Sequence, residues 1–233
     1  MKFAIISAGE GSRLAQEGVA RPKPLVELNG EAMIERLIRL FLRQGAEEVL
    51  VIINNEVPQT REFLTRLQAE LPVKLVVKTT PSSMHSFYEL SSLLEGDKFC
   101  LTTVDTIFRE DEFARFIADF RASEADGLMA VTDYIDDEKP LYIAADAGMR
   151  ITGFYDEPTE TCNFISGGIY CLTPPALDTL RRCMASGMSR MRNFQRQLVA
   201  DGLKLQAWPF HKIIDVDHAD DIAKAEEFLS AEF

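Results

Sequence analysis

Residues 2–6, Lys-Phe-Ala-Ile-Ile, form a short apolar run that opens straight into a loop with glycines at positions 9 and 11. This junction constrains the chain more than any other feature. An apolar run of β-formers stopped by glycine reads as a buried strand. Glycines, lacking a Cβ, let the backbone turn sharply and approach a ligand. Exposed N–H groups in such a loop form a concavity that favours anions. Arg13 adds a planar fork suited to phosphate, and Lys23 adds a compact point charge. Pro22 and Pro24 flank that lysine, and Pro24 restricts it toward extended geometry. Residues 7–30 therefore read as a phosphate-sized loop with a lysine on a stiff arm beside it.

Two common phosphate loops are excluded. The string GxxxxGK followed by Ser or Thr does not occur. A dinucleotide fingerprint needs GxGxxG, and here Gly9-Glu10-Gly11 is followed by Ser12, Arg13 and Leu14. The second expected strand also ends in Asn54-Asn55, with no acid at its tip for a ribose.

Downstream, Ile34, Leu37, Ile38 and Phe41 share one face of a helix over 31–44 that Gly45 ends. A strand over 48–53, a helix over 59–71 stopped by Pro72, and a strand over 73–78 follow. This alternation predicts right-handed parallel crossovers, with ligands beyond the carboxyl ends of the strands. Residues 80–86 form a polar turn into a helix that runs to about residue 94. Ser82, Ser83 and Ser86 bring hydroxyls near its start. A strand over 98–104 ends at Asp105, on the ligand edge, where an aspartate either meets ligand or caps a helix. A helix over 111–121 turns Phe113, Phe116, Ile117 and Phe120 to the core.

The second half changes character. Strands over 127–134, 141–145, 149–155 and 164–171 follow one another without helices, which suggests a mixed or antiparallel extension. Helices over 174–184 and 190–200, a strand over 203–208, and a last helix over 219–229 complete the reading. The fold class expected is α/β, a Rossmann-like three-layer sandwich with a mainly parallel central sheet and a mixed or antiparallel extension in the second half. One domain over 1–233 is expected.

Charge narrows the ligand. With 25 basic and 37 acidic residues the formal net charge is −12, which argues against non-specific nucleic-acid binding. The first 24 residues are locally basic, so a small anion is the expected ligand there. No apolar run reaches the roughly 18 residues of a membrane span. The first strand starts at residue 2, so no signal peptide is expected. Cys100, Cys162, Cys171 and Cys183 show no metal-ligand spacing. They read as reduced buried thiols, hence a cytoplasmic protein.

The string AGEGSR, followed by RPKPLVELNG, resembles the signature of the nucleotidyltransferases that make nucleoside-diphosphate sugars and related activated alcohols: GxGxR, a variable loop, then KP. The resemblance runs over essentially the whole chain. It implies a GT-A-like α/β fold, Mg²⁺, and transfer of a nucleoside monophosphate from a nucleoside triphosphate to a sugar-1-phosphate or phospho-alcohol, releasing pyrophosphate. Residues 1–105 would be the nucleotide-binding half and 106–233 the acceptor-binding half. Carried onto this chain, the resemblance assigns the nucleotide to Ala8, Gly9, Gly11, Ser12 and Arg13, with Thr80, Ser83 and Ser86 at base and ribose. Arg13 and Lys23 become the catalytic pair. Asp105 and Asp215 become metal ligands, with Asp217 close behind Asp215. The acceptor would meet Glu157 and Gly168, the latter in a G-I-Y turn.

Two departures stand out. Val104 precedes Asp105 where the family usually has glycine, and Glu157 sits at the lysine of the family's E-K-P string. Arg190, Arg192 and Arg196 either supply the missing acceptor charge or form a solvated helix face. His85 either stacks on a base or has no ligand role. Residues 86–90 loosely match the choline-phosphate cytidylyltransferases, so a cytidylyltransferase for choline phosphate or a phosphonate is the alternative. A GT-A glycosyltransferase and a non-catalytic nucleotide-sugar-binding regulator are more remote. The hexapeptide-repeat β-helix of some bifunctional relatives is missing from the sequence. Base, acceptor and oligomeric state stay open.

Overall fold

The structure, a computed structural model, describes residues 1–9, 11–136 and 138–231. In the first half, strand β1 (Lys2–Ser7) leads into helix α1 (Ser12–Gln16), a 3-10 turn (Lys23–Leu25) and a small hairpin of β2 (Glu27–Leu28) and β3 (Glu31–Ala32). Helix α2 (Met33–Arg43), β4 (Val49–Ile53), α3 (Pro58–Leu67), β5 (Val73–Val77), α4 (Ser83–Leu94) and β6 (Phe99–Thr103) follow. The second half holds β7 (Thr106–Ile107), α5 (Glu110–Ala122), β8 (Gly127–Thr132), β9 (Tyr142–Ala145), β10 (Ile151–Tyr155) and β11 (Cys162–Leu172). It ends with α6 (Pro175–Ala185), α7 (Met191–Ala200), β12 (Leu205–Pro209), β13 (Ile214–Asp215) and α8 (Ala219–Ser230).

Nine strands make one sheet in the order β10-β9-β11-β6-β1-β4-β5, with β8 paired to β11 and β12 paired to β8. The four strands β6, β1, β4 and β5 are parallel. Their residues are almost wholly apolar in β1 and β4, as expected where both faces of a parallel sheet are covered. Strand β11 reverses direction against β6, β8 and β9, and β12 returns parallel to β8. The extension is therefore mixed.

Period-2 alternation splits the core into two layers. Phe3, Ile5, Val49 and Val51 face α2, α3, α5 and α8, while Ala4, Ile6, Leu50 and Ile52 face α4, α6 and α7. The aromatic face expected on α5 is confirmed as core: Phe113, Phe116, Ile117 and Phe120 are all fully buried.

Among the boundaries that differ from the sequence reading, two lie in the first half. The helix expected from residue 31 starts at Met33, because Asn29-Gly30, both at positive φ (51° and 84°), closes the β2–β3 hairpin that takes in Glu31 and Ala32. Asn-Gly is the strongest short hairpin signal. The helix expected to reach residue 71 ends at Leu67.

Candidate active site

The glycine loop leaves the carboxyl end of β1 beside the ends of β4 and β6. Asn54, at the tip of β4 and 5 % exposed, donates its side-chain amide to the carbonyls of Ala8 (3.4 Å) and Gly9 (3.3 Å). It holds the loop from beneath. Gly11 is left-handed (φ 62°), and a Cβ there would sit 2.8 Å from the Cβ of Lys23. The loop and the lysine arm are thus packed backbone against side chain, and only glycine fits between them.

Over this loop lies a cavity of about 500 Å³. Ala8, Gly9, Gly11, Ser12, Arg13 and Lys23 line one side of it. Thr80, Ser82, Ser83 and Ser86 line another, at the start of α4. Thr80 and Ser86 share a hydroxyl–hydroxyl hydrogen bond of 2.6 Å. Ser82 instead engages the Nδ1 of His85 at 2.8 Å, and His85 is not among the lining residues. All of the residues read from the sequence as nucleotide-binding therefore face one space.

At its floor the chain joins four charges. The Lys23 ammonium is 2.5 Å from Oδ2 of Asp105 and 2.5 Å from Oδ1 of Asp217. Arg13 Nη1 reaches Oδ2 of Asp217 at 3.0 Å. Burial alone would push the Lys23 ammonium down and the Asp105 carboxyl up. Their mutual attraction outweighs it, so Lys23 is held above its ordinary value and Asp105 below. Both groups are ionised at neutral pH.

A two-residue ladder brings the two acids together. Residues 106–107 in β7 pair antiparallel with residues 214–215 in β13, and the Val216 N–H donates to the Asp105 carbonyl at 3.1 Å. The chain then turns, the Asp217 N–H meeting the Asp215 carbonyl at 3.2 Å. This turn sends Asp217 toward Lys23 and leaves Asp215 in a neighbouring cavity. Of the two aspartates that the sequence offers, Asp217 shares Lys23 with Asp105, while Asp215, at the end of β13, lines the neighbouring cavity. The turn that separates them has no strong local signal in Asp-Val-Asp.

That second cavity, of about 310 Å³, shares Arg13 and Asp217 with the first. Ser166 lies on its wall and donates to Oε1 of Gln195 (3.1 Å), which is 2 % exposed and also donates to the Tyr170 hydroxyl (3.4 Å). Burial pushes the Tyr170 phenol up to about 12, so it stays neutral. Two residues read as acceptor contacts lie elsewhere. Glu157 is exposed in the loop after β10, and Gly168 packs toward Thr106, where a Cβ would meet its hydroxyl at 3.2 Å; neither lines either cavity. Gly167, its neighbour, does line the second cavity. Arg192 and Arg196 both bind Asp156, at 2.5 and 2.8 Å, and hold its carboxyl below the ordinary range.

Two supporting residues were given no role by the sequence reading, although one of them lies at the expected ligand edge of the sheet. Asn54 is one. The other is Glu17, which follows α1 and accepts from the His218 ring (2.6 Å) and the Ala219 N–H (2.6 Å), tying the signature loop to the start of α8.

Comparison with known proteins gives a consistent picture. Residues 2–232 match the family model described as nucleotidyl transferase. The chain is similar to the mannose-1-phosphate guanylyltransferase catalytic subunit beta of Dictyostelium discoideum, 26 % identical over 187 residues, covering 78 % of this chain and 52 % of that protein. It is also similar to the CMP-5'-(3-aminopropyl)phosphonate synthase of Streptomyces rubellomurinus, 25 % identical over 249 residues, covering 93 % of this chain and 36 % of that protein. The aligned region thus spans about half or less of the length of these curated relatives. Among solved structures, the inositol-1-phosphate CTP transferase of T. maritima superimposes with a TM-score of 0.80 at 16 % identity, over 99 % of this chain and 98 % of that one. At that identity the likeness speaks for the fold.

Proposed function

We propose that this chain, which belongs to the nucleotidyl transferase family, transfers a nucleoside monophosphate from a nucleoside triphosphate to a phosphorylated small-molecule acceptor, a sugar-1-phosphate or a phospho-alcohol, and releases pyrophosphate. The observation that carries this reading is the convergence of Arg13, Lys23, Asp105 and Asp217 in a cavity that shares Arg13 and Asp217 with a second one of about 310 Å³.

Phosphoryl-type transfer is mostly positioning and charge neutralisation. In this reading the backbone of Gly9 and Gly11 and the fork of Arg13 hold the β- and γ-phosphates. Lys23 neutralises charge where the α-phosphorus meets the acceptor phosphate. An oxygen of the acceptor phosphate attacks the α-phosphorus in line, the P–O bond to the β-phosphate breaks, and pyrophosphate carries away the electron pair. The attacking phosphate is ionised at neutral pH, so no side chain has to act as a base.

The residues present fit Mg²⁺. Oδ1 of Asp105 is buried with no hydrogen-bond partner among the described residues, and Asp217 brings a second carboxylate to the same point. No group of three or more metal-ligating side chains occurs among the described residues. A site of one or two carboxylates completed by substrate phosphates is the usual arrangement for this hard cation. Asp105 and Asp217 would hold the ion, which when bound would neutralise phosphate charge. We place the reaction in the cytoplasm, in keeping with four free cysteines and with no described helix long and apolar enough to cross a membrane.

A second reading, a cytidylyltransferase for choline phosphate or a phosphonate, is favoured by the wall of the second cavity. Six carboxylates (Asp136, Glu138, Asp215, Asp217, Asp220, Asp221) face two cations, Arg13 and Lys224, with His218 beside them. A wall this acidic suits an acceptor whose phosphate lies at Arg13 and Lys23 and whose far end carries an ammonium. The relative whose name specifies an aminopropyl phosphonate points the same way.

The Lys23 role is tested by Lys23→Ala. Its kcat should fall by two or more orders of magnitude, on the order of the loss seen when a preorganised charge is removed from a transition state, with an unchanged circular-dichroism spectrum. A rate near wild type contradicts the role.

A further inference from the structure

We propose that Lys23 is the place-holder of the divalent cation: its ammonium competes with the cation for the carboxylates of Asp105 and Asp217, so that entry of the cation and release of Lys23 toward phosphate are a single exchange. The inference rests on the metal-dependent reading of the site given above.

The geometry is that of one charge shared by two acids. Lys23 Nζ lies 2.5 Å from an oxygen of each, and its side chain is 12 % exposed. An ammonium at hydrogen-bond distance from both carboxylates stands where a cation bridging them would also have to stand. The charge count makes coexistence costly. Arg13 and Lys23 balance Asp105 and Asp217, so the cluster is formally neutral as it stands. A divalent ion added beside Lys23 puts two cations on the same two carboxylates in a partly buried site, where like charges repel more strongly than in water. The group free to leave is Lys23. Its backbone is pinned by Pro22, Pro24 and the 3-10 turn, but its four-carbon stem is flexible, whereas the Arg13 fork is planar and rigid.

The site also offers a route for the exchange. Oδ1 of Asp105 is buried, unpartnered among the described residues, and belongs to a residue on the cavity wall. Lys23 itself lines the same cavity as Gly9, Gly11 and Arg13, so a triphosphate bound there gives the displaced ammonium a new partner. Cation and triphosphate are then positively coupled through Lys23, and by linkage each strengthens the other. Lys23 thereby acquires a task before the chemical step.

The test uses the full chain without nucleotide and Mn²⁺ as the probe, with free Mn²⁺ read by electron paramagnetic resonance. Lys23→Met should bind Mn²⁺ about tenfold more tightly than wild type, within the range of ordinary coupling energies, and Asp105→Asn should lose binding. Equal or weaker binding by Lys23→Met overturns the exchange. Asp105→Asn binding as tightly as wild type removes the carboxylates from the metal site, which overturns the exchange and the metal reading together. A second measurement needs no variant. Saturating Mn²⁺ should raise the rate at which Lys23 of the wild type is acylated, read by peptide mapping, several-fold. An unchanged rate overturns the exchange while leaving the nucleotidyl-transfer reading intact.

Discussion

Gly9 and Gly11 look equivalent in the sequence and are different in the fold. A Cβ on Gly9 would meet nothing within 4 Å, so only an approaching ligand requires glycine there. Gly11 is needed by the protein itself, through its left-handed backbone and its contact with Lys23. A non-glycine residue in that conformation costs roughly 1–2 kcal/mol, and the added methyl must push the lysine arm aside. Gly11→Ala should therefore lower the thermal midpoint by several degrees and kcat/KM by tenfold or more. Gly9→Ala should keep the midpoint and raise only the KM for nucleotide. Differential scanning fluorimetry with steady-state kinetics separates the two, and the same loss of stability in both variants contradicts the distinction. The residue types of the site were legible because glycine pairs, prolines around a lysine and acids at strand ends each carry a mechanism. The contact of Asp217 with Lys23 was not, since it depends on a turn set by pairing to residues 106–107, more than a hundred positions away.

Helix ends and loops show where local reading stops. The 3.6-residue pattern marked α2, α5 and α8 because an apolar stripe must face a core. The β2–β3 hairpin is so short that a helical pattern ran through it, although Asn29-Gly30 announced it. Between α6 and α7, beside the buried apolar contacts of Leu177, Leu180, Phe194 and Leu198, one acid gathers several donors. Asp201, at the end of α7, accepts from Thr179 (2.6 Å), Gln197 (2.7 Å) and Arg182. Burial pushes its carboxyl up, but these donors outweigh it and hold it below its ordinary range. A carboxyl depressed in the folded state stabilises above its unfolded pKa of about 3.9, and the benefit is lost as pH falls through the folded value. Asp201→Asn should cost about 2 kcal/mol at pH 7, the scale of charged hydrogen bonds, and the gap to wild type should narrow below about pH 4. Thermal melts of both proteins at pH 7 and pH 3.5 check this, and a gap of constant size contradicts it.

At the scale of the molecule, the parallel half was the most legible, since strand and helix periods alternate there and topology rules leave few arrangements. The position of β12 beside β8, and the way β11 joins both halves, depend on long-range pairing that no local pattern encodes. The same holds for the acceptor side. Glu157, placed by motif position, stands exposed outside both cavities, whereas the acidic wall is assembled from segments near residues 136 and 217. The whole chain carries −12, yet it gathers Arg13 and Lys23 at the one point where anions would meet.

The central claim, nucleotidyl transfer to a phosphorylated acceptor, is tested most directly by pyrophosphate release with Mg²⁺. Four nucleoside triphosphates would be offered against sugar-1-phosphates, phosphocholine, an aminoalkyl phosphonate and an uncharged alkyl phosphate of matching size. The account predicts release that requires both one nucleotide and one phosphorylated acceptor. Turnover of the ammonium-bearing acceptors over the uncharged one selects the second reading, and turnover of a sugar-1-phosphate alone rejects it. No acceptor-dependent release with any pair, from a folded protein that also fails to bind nucleotide, would contradict the account from the glycine loop onward.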